Sequence, residues 1–303
     1  SLFISLTCGN CLMLTLDILI IYYKIYIMKT EKIGLGIVTC NRPEFVSKCI
    51  ESIDLKMVDE KVIVNDGTIK VDYTDFFIIN NEKNIGVGKS KNKLLKHLYD
   101  KGCDYIFILE DDMLILDNNV FNKYIEAHKA SNIHHFNYGP GSPFNRKQNM
   151  EFDLHNRHEL DQHSEPNPRK IIDYGNGVKI SLFQHTVAMF SFFTRKVIEE
   201  VGYIDEDFYN AWEHVDHTYR IIKAGYHPPF WYFADLYDSH KFLTEAPEAI
   251  DKSSIANDSE QWKKNVYGGR EIYLKKHGHY PNEPPFTSSE EVNTILKNLK
   301  NDG

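Results

Sequence analysis

Three consecutive carboxylates, Glu110, Asp111 and Asp112, follow an apolar run at 105–109. Such a run is typical of a strand buried on both faces of a parallel sheet. Three acids are too costly to bury unpaired, so we expect them at the sheet edge, where open α/β folds bind ligands. Clustered carboxylates suit Mg²⁺ or Mn²⁺, which often share oxygen ligands with substrate phosphates. The alternative is a solvated acidic turn.

Polar side chains also follow other predicted strands. Because the carboxyl ends of parallel strands meet at one edge, we expect these side chains beside the acids. Together they offer a carboxylate for a nucleobase N–H, cations for phosphate and acids for a metal, which outlines a nucleotide-diphosphate site. A turn before a glycine and a solvated helix start would explain some of them singly. They are Thr39, Asn41 and Arg42 after the first strand, Asp66 after the second, and Lys89 and Lys91 after a glycine-bearing turn.

A second set of candidates begins a predicted helix at 213–224. Glu213 lies beside Trp212 in the first turn, where burial would raise its pKa toward the range of a general base. The alternative is a favourable contact with the positive end of the helix. Asp216 shares this face and is the second candidate base, or forms only an ion pair with Arg220.

Two histidines follow or interrupt apolar segments. His240 comes after the last predicted strand, at 229–234, and is a candidate to complete a metal site. The chain has 14 histidines, so one alone carries little weight. His185 is expected to be a buried histidine with satisfied hydrogen bonds, and a role at an acceptor site is the alternative.

Two glycine patterns point to other nucleotide folds and fail on their residues. Gly34 and Gly36 lack the third glycine of the dinucleotide fingerprint and lie inside a strand. Gly88-Lys89-Ser90 resembles the end of a phosphate-binding loop, but Lys83 occupies the position of the required first glycine. The sequence therefore excludes both the dinucleotide and the P-loop NTPase interpretations.

Strands and helices alternate along the first part of the chain, which favours an α/β fold with a largely parallel sheet. Residues 139–170 are polar and without periodicity, so we expect a loop that closes over a ligand. Strands are predicted at 33–39, 61–64, 75–80, 105–109, 133–138, 171–174, 178–183, 190–193 and 229–234. Helices are predicted at 44–53, 89–100, 118–129, 194–201, 213–224 and 260–276.

Composition limits the class of protein. The 303 residues are 42% hydrophobic and 26% charged, and the net charge of -8 argues against a nucleic-acid partner. Five cysteines without framework spacing favour reduced thiols and a cytoplasmic location. Residues 1–27 are apolar but interrupted by Asp17 and Lys24. We interpret them as non-native or upstream-translated sequence, with a weak membrane-surface anchor or a packing element as alternatives.

Five motifs, in order, resemble family 2 glycosyltransferases of the GT-A fold. The resemblance covers roughly residues 32–242 and implies a Rossmann-like α/β/α domain at 28–245, followed by a helical extension at 246–303. The motifs are Ile-Val-Thr-Cys-Asn-Arg-Pro at 37–43, Val-Asn-Asp-Gly-Thr at 64–68, Asn-Ile-Gly-Val-Gly at 84–88 with Asn92, Leu-Glu-Asp-Asp at 109–112, and Gly-Tyr-Ile-Asp-Glu at 202–206 followed by Glu213.

The resemblance also implies a nucleotide-sugar donor, usually a UDP-sugar, and Mn²⁺ or Mg²⁺. Glu213 falls where the family usually shows Glu-Asp, although His214 replaces the Asp here. The matching positions assign Thr39, Asn41 and Asp66 to base and ribose. They assign Glu110, Asp111 and Asp112 to a variant DxD motif with Asp112 as the direct metal ligand, and His240 to a further metal ligand. Arg42, Lys89 and Lys91 are the cations that the strand ends offer to the phosphates.

We therefore expect a glycosyltransferase that moves a sugar, with inversion, to an acceptor hydroxyl of a glycan or glycoconjugate. Glu213 would deprotonate the acceptor, and the metal with the lysines and arginine would neutralise the leaving diphosphate. The alternatives are a sugar-nucleotide nucleotidyltransferase, whose glycine-rich signature is absent from the sequence, and a non-catalytic carbohydrate-binding module.

Overall fold

A computed structural model describes residues 31–151, 159–249, 259–283 and 286–302. The chain divides into two compact units, 1–31 and 32–303, and all the elements named below belong to the second. The predictions for residues 1–27 lie outside the described residues. Among the helices that are described, none is long and apolar enough to cross a membrane.

The strands of the described chain follow the predicted order closely. They are β1 Ile33–Thr39, β2 Glu60–Asn65, β3 Phe77–Asn80, β4 Tyr105–Glu110, β5 Met113–Ile115, β6 His135–Asn137, β7 Lys170–Gly175, β8 Val178–Phe183, β9 Phe190–Thr194, β10 Phe233–Leu236 and β11 Leu243–Glu245. The α-helices are α1 Pro43–Glu51, α2 Val87–Asp100, α3 Val120–Ser131, α4 Arg195–Glu200, α5 Glu213–Lys223, α6 Ser259–His277 and α7 Ser289–Asn301.

The central sheet has six strands in the order β3-β2-β1-β4-β9-β6. Strands β1 to β4 are parallel, and β9 runs antiparallel between β4 and β6. The carboxyl ends of β1, β2, β4 and β6 therefore open on one edge, beside the amino end of β9. A three-stranded sheet, β10-β8-β7, and the pair β11-β5 complete the strands. The predicted, mostly parallel α/β fold is confirmed.

Helices cover both faces of the central sheet. On one face, Val46 of α1, Tyr124 of α3 and Leu296 of α7 belong to a single buried cluster. On the other face, Leu95 of α2 and Ile221 of α5 belong to a second cluster. The result is the three-layer arrangement expected from the sequence, because each apolar strand needs cover on both sides.

The glycines of β1 serve packing. A Cβ on Gly36 would lie 2.9 Å from Ile108 Cδ1 and 3.0 Å from Leu94 Cβ. One on Gly34 would lie 2.7 Å from Cys103 Sγ. Because these two positions have no side chains, α2 and the loop after it lie close against the sheet. Close packing therefore explains the two glycines, which do not match the dinucleotide fingerprint.

Four elements differ most from the predictions. Strand β10 begins at Phe233 rather than at 229, and the paired strands β5 and β11 were not predicted. Helix α7 was also missed, although Ser288 and Glu291 form a capping box at its start. Its buried residues join the main core. The predicted boundary between domain and extension at 245 stays a prediction.

Candidate active site

The three acids lie at the carboxyl end of β4, and two of them are internal. Asp111 is 1% and Asp112 7% exposed. Thr39 Oγ1 donates a hydrogen bond to Asp111 Oδ2 at 2.6 Å. Arg42 forms an ion pair with Asp111 and places Nη2 2.9 Å from Asp112 Oδ2. A solvated acidic turn is excluded, because the fold supplies a cation from the next strand end.

Burial shifts the acidity of this cluster. Burial raises the pKa of Asp111 to about 7, against the opposing effect of Arg42. Burial also raises the pKa of Asp112, and the neighbouring charge of Glu110 adds to the rise. Asp112 Oδ1 is buried and has no hydrogen-bond partner among the described residues. The cluster is therefore short of positive charge even with Arg42 in place.

Lys91 connects the acids to the start of α5. Its Nζ donates to Glu110 Oε1 at 2.7 Å and to the Ala188 carbonyl at 3.0 Å. The side chain is almost fully buried. Burial lowers its pKa, but Glu110 and Glu213 raise it further, so the net shift is upward. Lys91 is an internal counter-ion, which excludes a solvated helix start, and its contact with phosphate stays a prediction.

Lys89 lies in the first turn of α2 and is half-buried. Within the described part of the chain its ammonium has neither an ion pair nor a hydrogen bond, unlike Lys91 and Arg42. Of the predicted phosphate ligands, Lys89 is the one whose charge is not already matched inside the protein.

Asn41 and Asp66, the predicted base and ribose ligands, hold loops. Asn41 has a positive φ of 58°, and its Oδ1 accepts from the backbone N–H of Thr68 at 2.7 Å and of Ile69 at 2.9 Å. Asp66 accepts from the backbone N–H of Ile85 at 2.8 Å and from two further donors. They shape the rim of the edge; their contact with a donor stays a prediction.

The predicted metal ligands Glu110, Asp112 and His240 do not form one cluster. Within the described ranges, no group of three or more His, Cys, Asp or Glu residues is arranged to hold a metal. The pairing of β11 with β5 explains this. The Ala246 N–H donates to the Asp112 carbonyl at 2.6 Å, which brings Ala246 beside the acids. His240 lies in the 3₁₀ turn Ser239–Lys241, beyond the far end of that pair.

Glu110 and Asp112 without a histidine fit a cation site that water and substrate phosphate complete. Mg²⁺ usually binds through one or two carboxylates and completes its shell with water and substrate phosphate. Asp112 supplies an unpaired buried oxygen, and Glu110 remains partly exposed. Glu110 and Asp112 fit the cation as a pair, and a metal contact of His240 stays a prediction.

Glu213 begins α5 and is buried, with 4% of its surface exposed. Trp212 before it adopts a left-handed φ of 69°, an uncommon conformation for a bulky residue. The Trp212 Nε1–H donates to the Val266 carbonyl at 2.9 Å. A Cβ on Gly269 would lie 2.8 Å from Trp212 Cδ1, so α6 approaches closely here. Helix α6 thus fixes the turn that directs Glu213.

The pKa of Glu213 moves opposite to our expectation. Burial raises it, but His214 and Lys91 outweigh burial and bring the pKa to about 2. Glu213 Oε1 lies 3.3 Å from His214 Nδ1. Glu213 Oε2 is buried and has no hydrogen-bond partner among the described residues. The carboxylate therefore stays ionised at neutral pH, with one oxygen available to accept a proton or a hydrogen bond.

Asp216 is fully buried and surrounded by cations. Its Oδ2 accepts from Arg220 Nε at 2.9 Å, and its Oδ1 lies 2.8 Å from both Lys276 Nζ and His277 Nε2. Burial raises its pKa, but these partners outweigh burial and the net shift is downward. Asp216 joins α5 to α6, which matches the structural alternative more closely than the role of second base.

His214 is the functional neighbour that sequence reasoning underestimated. It counted only as a replacement for an aspartate, yet it is the partner of Glu213 Oε1. His214 also lines a cavity of about 10 Å³ together with Lys91, His135 and Asn137. That volume is close to the smallest that holds one water. The adjacent positions of Glu213 and His214 at a helix start were the available signal.

Comparison with known proteins identifies the family. The model of "Glycosyl transferase family 2" matches residues 35–202, more than half of the 303 residues. The chain belongs to this family. It is also similar to "Uncharacterized glycosyltransferase R363" of Acanthamoeba polyphaga mimivirus, with 28% identity over 267 residues that cover 82% of this chain and 94% of the relative. The predicted family and the prediction of a transferase enzyme are confirmed.

Solved structures show partial likeness. TarS of S. aureus matches 89% of this chain and 43% of its own length, with 12% identity and a TM-score of 0.48. The mannosyltransferase PcManGT from Pyrobaculum calidifontis, in complex with GDP-Man and Mn²⁺, matches 92% and 75%, with 9% identity and a TM-score of 0.42. The family assignment depends on the sequence match, and the sheet topology agrees with the expected GT-A type.

Proposed function

We propose that this family 2 glycosyltransferase transfers a sugar from a nucleotide-diphosphate donor, a UDP-sugar, to an acceptor hydroxyl of a glycan or glycoconjugate. One observation carries the proposal. Asp112 Oδ1 and Glu213 Oε2 are buried carboxylate oxygens without a partner among the described residues. Buried polar atoms are nearly always hydrogen-bonded, so each oxygen lacks a partner that a bound group would supply. Lys91 connects the surroundings of these two carboxylates. Its Nζ donates to Glu110, close to Asp112, and its charge lowers the pKa of Glu213.

The donor half of the proposed site is the acid cluster. Glu110 and Asp112 would hold Mn²⁺ or Mg²⁺, which when bound stabilises the negative charge of the leaving diphosphate. Arg42 keeps Asp111 and Asp112 in place through its ion pairs. Lys89 supplies a further cation for the diphosphate. The loops held by Asn41 and Asp66 would enclose the base and ribose.

The acceptor half is Glu213. Its Oε2 accepts the proton of the acceptor hydroxyl as that oxygen forms its bond to the anomeric carbon, while the bond from that carbon to the diphosphate breaks. Attack from the face opposite the leaving group gives inversion. With a pKa of about 2, Glu213 is fully ionised but weakly basic. Its contribution depends on holding the hydroxyl in place and accepting the proton late in the step.

Donor binding is tested by thermal unfolding with UDP, GDP, CDP and dTDP, each with and without Mn²⁺. A ligand at about 100 times its Kd stabilises a protein by about 2.7 kcal/mol, a readable shift. We expect a shift with UDP that requires Mn²⁺. If no nucleotide changes the unfolding temperature under either condition, the proposed donor site is wrong.

A further inference from the structure

The structure has a cleft whose described lining includes none of the proposed catalytic residues. It has a volume of about 400 Å³, within the range of small-ligand sites. The walls come from the loop after β6 and from the segments that flank the hairpin β7–β8. Its lining residues are Phe144, Arg146, Gln148, Asn167, Pro168, Arg169, Gln184 and His185.

The cleft is connected to the catalytic edge by a short segment. His185 lines the cleft, and four residues later the Met189 carbonyl accepts from the backbone N–H of Glu110 at 2.8 Å. Between them, the Ala188 carbonyl accepts from Lys91. Four fully extended residues span about 14 Å at most, so His185 lies within that reach of the acid strand.

The walls of the cleft are held together by a buried amide. Asn145, 1% exposed, donates from Nδ2 to the Gly139 and His185 carbonyls at 2.8 Å and accepts from the His185 N–H at 3.0 Å. The Asn167 N–H donates to the Asn145 carbonyl at 2.7 Å. The Arg169 N–H donates to the Leu182 carbonyl at 2.7 Å. The cleft is therefore formed before a ligand arrives.

The lining is cationic in a chain of net charge -8. Arg146 and Arg169 both line the cleft, and no carboxylate side chain is among its described lining residues. Neither arginine forms an ion pair within the described part of the chain. Arg146 donates to two carbonyls, at 2.7 and 2.6 Å, while Arg169 is exposed and lies over the rings of Tyr232 and Phe286. An arginine fork without a carboxylate partner matches a carboxylate or phosphate group.

The remaining lining suits a sugar. His185 has its pKa lowered to about 4, by burial first and by Arg169 second, so its ring is neutral at pH 7. Its ring lies 5.3 Å from that of Phe144 and 6.2 Å from that of Trp231. Aromatic faces pack against sugar rings, and Gln184 and Asn167 add amides for hydroxyl groups.

We propose that this cleft binds the acceptor and selects a saccharide that carries a negatively charged group, a carboxylate or a phosphate. The inference rests on the proposed function, since it assigns the acceptor of the same reaction. Arg169 contacts the charged group, and the rings of Phe144 and His185 pack against the neighbouring sugar ring. The structure thus separates an anion-binding acceptor cleft from the metal-dependent donor site.

Calorimetry with α-1,4-tetragalacturonate tests the inference, and the fully methyl-esterified tetramer serves as the neutral probe. A phosphorylated sugar, glucose 6-phosphate, distinguishes phosphate from carboxylate. We expect one of the charged probes to bind at least about tenfold more tightly than the neutral tetramer, with an affinity that falls as salt rises. Equal affinity for the charged and neutral tetramers, with no binding of glucose 6-phosphate, would overturn the inference.

Arg169→Gln is expected to weaken binding of the charged probe about tenfold, the loss of one charge-assisted contact. Arg169→Lys should restore much of it. The matched control is Lys170→Gln, because Lys170 is the adjacent cation but donates to Ser289 Oγ at 2.8 Å and does not line the cleft. Equal losses in Arg169→Gln and Lys170→Gln would indicate a general charge effect and contradict a specific contact.

Failure of this inference is distinguishable from failure of the proposed function. The UDP and Mn²⁺ shift reports the donor site alone, and Arg169→Gln should leave it unchanged. A normal UDP shift with no discrimination between charged and neutral probes would reject only the acceptor cleft. Competition between UDP and the charged probe would assign the cleft to the donor and would also reject the inference. Loss of the UDP shift in the wild-type protein would reject the proposed function itself.

Discussion

Basic side chains from three elements pair with the carboxylates of the site and set the chemistry of those carboxylates. Arg42 follows β1, Lys91 lies on α2, and His214 lies on α5 beside Glu213. The effect of burial on Glu213 is outweighed by His214 and Lys91, so its pKa falls to about 2. At Asp111 burial outweighs Arg42, and the pKa rises to about 7.

Glu213→Gln removes the proton acceptor while keeping the shape of the side chain. We expect the transfer rate to fall about 100-fold or more, the usual range for loss of a general base. Donor binding, measured as the UDP shift with Mn²⁺, should be unchanged. The control is Glu199→Gln, the same replacement on α4, where the side chain forms an exposed ion pair with Arg195. An unchanged transfer rate would remove Glu213 from the mechanism.

Asp112→Asn tests the proposed cation pair. The amide keeps the size of the side chain but loses the charge, so we expect Mn²⁺-dependent UDP binding to weaken about tenfold or more. Asp117→Asn is the matched control, since Asp117 is exposed and its carboxylate accepts a local hydrogen bond from the Asn119 N–H. Equal UDP affinities for wild type and Asp112→Asn, in Mn²⁺, would show that Asp112 does not bind the metal.

Sequence reasoning placed the candidate residues at strand ends but did not predict their side-chain partners. Strand ends are predictable, because an apolar run that stops at polar residues defines an edge. The ion pair of Arg42 with Asp111 joins side chains 69 positions apart, and no periodicity carries that information. The position of His240 was unpredictable for a similar reason, since the register of β11 against β5 decides which residue lies beside Asp112.

At the scale of elements, helix α6 controls the turn that presents Glu213. The carbonyl of Val266 accepts from Trp212, and Lys276 and His277 bind Asp216 of α5. The sequence predicted α6 as a helix at 260–276 and gave it no function. Long apolar or amphipathic elements were predictable, whereas the short pair β5–β11 depends on contacts between distant segments.

Two adjacent glycines of α6 give a matched test of this contact. A Cβ on Gly269 would lie 2.8 Å from Trp212 Cδ1 and 2.9 Å from the Ala211 carbonyl, while one on Gly268 meets nothing within 4 Å. Gly268→Ala should stabilise the protein by up to about 1 kcal/mol through helix propensity. Gly269→Ala should destabilise it by about 1–3 kcal/mol through overpacking and slow transfer. Urea unfolding and transfer rates measure both; equal behaviour of the two variants would contradict the contact.

At the scale of the whole molecule, buried titrating groups set the pH range of the fold. Burial lowers the pKa of His134 and His217 to about 3 and that of His227 to about 4. The pKa values of His135 and His185 shift in the same direction. In the unfolded chain a histidine titrates near about 6.5. Between pH 4 and 6.5 the unfolded state therefore binds more protons at these five positions, which destabilises the fold as pH falls.

The buried aspartates act in the opposite direction, and their number decides the balance. Burial raises the pKa of Asp111 and Asp235 to about 7. Burial also raises the pKa of Asp112. In the window from pH 4 to 6.5 the folded state binds more protons at these three carboxyls, which stabilises it as pH falls. The pKa values of His97, His240 and His277 are also lowered, and so are those of Asp216 and Glu213, so the groups that bind more protons in the unfolded state outnumber these three aspartates.

We therefore expect the free energy of unfolding to decrease as pH falls from 6.5 toward 4. His217→Gln should reduce the slope of that free energy against pH by about 1.4 kcal/mol per pH unit, the contribution of one proton. The glutamine amide would keep a donor for the Gly202 carbonyl, which His217 Nε2 contacts at 2.9 Å. His163→Gln, at an exposed loop position, is the control and should leave the slope unchanged. Urea unfolding at several pH values measures each slope; identical slopes for wild type and His217→Gln would show that His217 is not held neutral by the fold.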